Sequence, residues 1–69
     1  MSGVFNVTEK PVAKLVGEDG NIFNLLGVAA RALRSADMND KAKEMQTRVF
    51  SSHSYEEALS IISEYVEVE

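Results

Sequence analysis

The chain has 69 residues, 45% hydrophobic and 26% charged, with a single histidine, no cysteine and a formal net charge of −4. These values exclude a disordered tail, a disulfide framework and a Cys-based zinc scaffold, and leave room for one domain, 1–69, around one core. An acidic chain is also a poor starting point for binding nucleic acid, whose phosphates repel it unless a local basic patch takes over.

Taken in chain order, the β-branched opening reads as extended. Val12-Ala13-Lys14-Leu15-Val16 is the expected strand, with Pro11 at its start where a missing N–H does least harm. Val4–Val7 is a second candidate strand, and residues 1–11 read as a loose extension. Gly17-Glu18-Asp19-Gly20 is a turn, after which Asn21 offers a side-chain oxygen to the free N–H groups of a helix. That helix is predicted from Ile22 to Ala36, with Ile22, Leu26, Ala29, Ala30 and Leu33 on one face and Phe23 and Leu25 widening it. Gly27 within it predicts a close packing contact.

Asp37 or Asn39 caps a second helix, whose inner face is Met38, Ala42, Met45 and Val49. After Ser51-Ser52-His53, Ser54 and Glu57 form a capping box for a third. Its stripe is Tyr55, Ala58, Leu59, Ile62, Tyr65 and Val66, and the tail Val66-Glu67-Val68 alternates as a strand that can pair beside residues 12–16. The predicted class is α+β and mostly helical: a three-helix domain with one or two short strands, from the N-terminal segment and the C-terminal tail.

Site chemistry is sparse. Gly17 to Gly20 lacks the spacing of a phosphate loop, and Glu18 and Asp19 would repel an anion there. Asp37, Asn39 and Asp40 open like a calcium loop but lack its central Gly and closing Glu, and His53 has no second His or Cys beside it. Ser51, Ser52, His53 and Ser54 supply the letters of a nucleophilic triad without its spatial logic. The expectation is a non-enzyme with no cofactor and no metal.

Two surfaces remain. Phe5, Val28, Phe50 and Ile61 fall off the apolar stripes and together form a candidate interaction surface. Arg31, Arg34, Lys41, Lys43 and Arg48 form the alternative, a nucleic-acid face on the first two helices. Against it stands the C-terminal stretch, in which Glu56, Glu57, Glu64, Glu67 and Glu69 face no Lys or Arg. Those five acids also make a thin mimic of DNA, which ranks last. A core this small supplies only about 3–5 kcal/mol without staples, so burial against a twin subunit or a host or phage protein is the expected remedy. No segment is apolar for the roughly 20 residues a membrane helix needs, and Met1–Phe5 lacks the pattern of a signal peptide, so the expected location is the cytoplasm.

Residues 14–23, Lys-Leu-Val-Gly-Glu-Asp-Gly-Asn-Ile-Phe, carry one further pointer. With the Ser54-Tyr55 helix start and the tail Tyr65-Val66-Glu67-Val68-Glu69, the chain resembles a family of small uncharacterised bacterial and phage-associated proteins. The likeness spans residues 12–36 and 52–69. It implies a context, a bacterial cytoplasm and a prophage or other mobile element, and it brings no functional residue.

Overall fold

A computed structural model describes residues 10–69, so the candidate strand Val4–Val7 and Phe5 lie outside the described residues. The described chain runs β1 (Val12–Ala13), α1 (Ile22–Ser35), α2 (Asn39–Phe50), α3 (Tyr55–Tyr65) and β2 (Glu67–Val68). The fold is α+β and mostly helical. β1 and β2 pair in parallel, Val12 opposite Glu67 and Ala13 opposite Val68. The predicted strand 12–16 is thus shorter than its sequence suggests. Its later amides still find a partner, because Leu15 and Val16 both donate to the Glu69 carbonyl, at 2.6 and 2.7 Å. Lys14 lies between two residues that bond to Glu69, and Lys10 donates its ammonium to the Ser63 carbonyl near the end of α3.

Each helix starts for a local reason. The Asn21 side chain accepts from the Phe23 N–H at 2.8 Å, closing the first turn of α1. The Ser54 hydroxyl accepts from the Glu57 N–H at 3.0 Å, as a capping box requires. The return bond is displaced by one residue: the Glu57 carboxylate accepts from the His53 N–H rather than from that of Ser54.

The turn between α1 and α2 overrules the expected cap. Asp37 adopts φ 64°, its N–H donates to the Arg34 carbonyl, and the Met38 N–H reaches back to Leu33. These two bonds form a Schellman motif, with Asp37 in the left-handed position usually held by glycine. Asp37 therefore ends α1, and Asn39 is the first residue of α2, whose N-cap is Met38 with no side-chain cap bond. A connection this short cannot give one residue both roles. The left-handed conformation costs about 1–2 kcal/mol for a residue with a Cβ, which Asp tolerates better than most.

The core lies where the three helices meet. Leu33, Met45, Ile62 and Val66 are its largest fully enclosed side chains, and Ala29, Ala30 and Ala42 let the helix axes approach. Ala13 and Leu15 join it from the N-terminal segment. Gly27 does not serve the predicted close contact, since a Cβ there would meet nothing within 4 Å. Ile61 is a second correction. Although off the drawn stripe, it is buried at 6% exposure, because α3 packs against both α1 and α2 and so needs a wider apolar face. Among the described residues, no helix is long and apolar enough to cross a membrane.

Candidate functional site

Phe23, at the edge of α1's apolar face, and Phe50, one residue beyond the inner stripe of α2, meet at one end of the bundle. α1 and α2 are antiparallel, so the start of α1 lies against the end of α2, and the Phe23 and Phe50 rings are 6.2 Å apart between centroids, tilted by 40°. The start of α3 joins them through Tyr55, whose hydroxyl donates to the Gly20 carbonyl at 2.6 Å. Exposures of 67% for Phe23, 65% for Phe50 and 48% for Tyr55 are far from those of core residues. Between them runs an open groove of about 360 Å3, floored by Ile22, Val49 and Ala58 and bordered by Ser52, His53 and Ser54. Three large aromatics gathered in water are uncommon on a protein of this size.

The hydroxyls beside the groove are occupied by helix ends. Ser52 donates to the Val49 carbonyl at 2.6 Å, and Ser54 caps α3. Glu57 bonds to the His53 backbone. Among the described residues, no group of three or more His, Asp or Glu is placed to hold a metal ion.

The expected interaction residues do not assemble as a group. Phe50 lines the groove, Ile61 belongs to the core, Val28 is half-buried against it, and Phe5 is outside the described residues. Phe23 and Tyr55 fall outside that set because helical spacing assigns both to apolar stripes. The available signal was their position, since each sits in the first turn of its helix, where the stripe overruns the bundle.

The basic set divides as well. Arg31, Arg34, Lys41 and Lys43 are exposed, with Lys41 4.0 Å from Glu44. Arg48 is engaged elsewhere: its guanidinium donates to both Glu64 carboxylate oxygens at 2.7 and 3.3 Å and to the Tyr65 hydroxyl at 3.2 Å. It also lies 5.7 Å from the centre of the Tyr65 ring. Tyr65 in turn donates to Glu44 at 2.6 Å. The hydrogen bonds from Arg48 hold the Glu64 carboxyl below its ordinary range. Burial, and then the bond to Glu44, push the Tyr65 phenol upward, with Arg48 opposing.

The alkaline consequence follows from that sign. A proton held more tightly in the folded state stabilises the fold fully below the ordinary tyrosine value of about 10. The contribution is lost as pH rises through the higher folded value. Thermal melts followed by circular dichroism from neutral to alkaline pH should show stability falling in that window, with Tyr65→Phe losing part of the slope. An unchanged slope in Tyr65→Phe would assign the effect to other groups.

Compared with known proteins, the chain matches no family model, no curated protein and no solved structure. The likeness over residues 12–36 and 52–69 therefore rests on the sequence alone, and the groove must be read on its own chemistry.

Proposed function

We propose that the protein is a small non-enzymatic interaction module, with an accessory or regulatory role, that grips another protein through the Phe23–Phe50–Tyr55 groove. The observation that supports this reading is the convergence of three exposed aromatic side chains from three helices on one apolar groove. Such rings supply large contact area at low entropic cost, and truncating a central one typically costs about 2–4 kcal/mol of binding. Origin in a phage or mobile element and a cytoplasmic setting complete the proposal.

The nucleic-acid reading is weakened by Arg48, which is turned to Glu64 on the acidic third helix and not to solvent alone. The four remaining bases would give a shallow, salt-sensitive footprint.

A tagged full-length protein, used to capture partners from bacterial lysate with and without nuclease, separates the two. The expected result is a specific protein retained in both halves and lost with Phe50→Ser. Retention by Phe50→Ser, or loss of all bound material with nuclease, would overturn the proposal.

A further inference from the structure

Acidic residues adjoin the groove's lining residues in sequence, and Glu57 bonds to the backbone of one of them, His53; their charge selects the occupant. Tyr55 holds the Gly17–Gly20 turn against the start of α3 through its bond to Gly20. Glu18 and Asp19 immediately precede that point, and Glu56 and Glu57 immediately follow Tyr55. Three of the four carboxylates are fixed: Asp19 accepts from the Asn21 N–H at 3.0 Å, Glu18 from the Asn24 amide at 3.3 Å, and Glu57 from the His53 N–H at 3.2 Å. The starts of α1 and α3 offset only about half a charge each, and the end of α2 at Phe50 is itself the negative pole of its helix.

The chain's own cations do not cancel this field. Arg48 is bonded to Glu64. Arg31, Arg34, Lys41 and Lys43 lie toward the other end of α1 and α2, about 10–18 Å along the helix axes from the groove at 1.5 Å per residue. That exceeds the screening length of about 8 Å at physiological salt. Lys10 is bonded to the Ser63 carbonyl near the far end of α3, and Lys14 follows β1.

From this geometry we infer that the groove takes a positively charged protein segment, one or two large apolar anchors flanked by Lys or Arg. The inference rests on the interaction reading above and names the partner's chemistry. A volume of about 360 Å3 is near the small end of the roughly 300–1,000 Å3 typical of ligand pockets, and suits one or two anchoring side chains. A second copy is a poor occupant, since two-fold pairing through this face sets the four acids of one protomer against the same four of its partner.

The test is a titration of the 15N-labelled full-length protein, followed by amide shifts, with three synthetic peptides. One carries Phe and Leu anchors flanked by Lys, the second has Glu in place of each Lys, and the third has Ser in place of each anchor. The lysine peptide should shift the amides of Phe23, Phe50 and Tyr55 and bind about tenfold or more tighter than its glutamate twin, with affinity falling as salt rises. The serine peptide should bind weakly, and Glu56→Lys should narrow the gap between the charged twins.

Equal or tighter binding of the glutamate peptide at the same amides would overturn the charge assignment while leaving the groove an interaction site. Groove shifts that grow with protein concentration alone would make a second copy the occupant, and would overturn it too. Absence of groove shifts with every peptide would also overturn it. Whether the groove binds protein at all is then decided separately, by capture with and without Phe50→Ser.

Discussion

Leu33→Ala should leave the protein largely unfolded at physiological temperature. Leu33 is completely enclosed near the end of α1, and its carbonyl also accepts the Met38 N–H that closes the turn into α2. Truncating an enclosed leucine costs about 2–5 kcal/mol, the transfer of its methyl groups plus the cavity left behind. A core of this size supplies about 3–5 kcal/mol in total, so the loss is of the same order as the whole. Thermal melts by circular dichroism would show the midpoint falling by about 10 °C or more, at roughly 4–8 °C per kcal/mol for a small domain. Leu33→Met, which keeps the volume, should cost less than about 1.5 kcal/mol. A fall under about 5 °C for the alanine variant would mean that the helices close over the cavity.

Ile61→Asp should be as damaging, for a different reason. It both removes buried apolar surface and places a carboxylate where the surrounding core side chains offer no cation, for a combined cost above about 4 kcal/mol. Phe50→Ser, by contrast, should change stability by less than about 1 kcal/mol, chiefly the lost pairing with Phe23. Urea unfolding of the two variants beside the parent protein measures both. A mild effect of Ile61→Asp would return that position to the surface, and a severe effect of Phe50→Ser would make the groove part of the core.

That pair of residues shows what the sequence could convey. The three helices, the caps at Asn21 and Ser54, and the tail strand beside residues 12–13 were legible because each depends on neighbours close in sequence or on one strong periodicity. Ile61 was misplaced because the width of a helix's buried face depends on how many neighbours it packs against, which periodicity along one helix does not record. Neither Asp37 nor Asn39, the two caps the sequence suggests, serves as one, for a similar reason in the case of Asp37. Its side chain suits a cap, but the three-residue reversal after α1 first requires a left-handed residue there. Phe23 and Tyr55 match the apolar rhythm and still face water, because among the described residues no further element covers that end of the bundle. The candidate site was therefore the least legible part. One of its three aromatics was singled out, and the acids beside it were visible only as four residues scattered along the chain.

The parallel pairing of β1 with β2 has a kinetic corollary. It joins the two ends of the described chain, so forming it requires closing a loop that contains all three helices, with no benefit until they have packed. The α1–α2 hairpin, held by neighbouring residues, gains its contacts first. The strand pair should therefore form last and open first, and hydrogen exchange should show the amides of Glu67 and Glu69 exchanging sooner than those beneath Leu33. Opening of the strand pair is then expected to uncover Ala13 and Leu15 before the three helices separate.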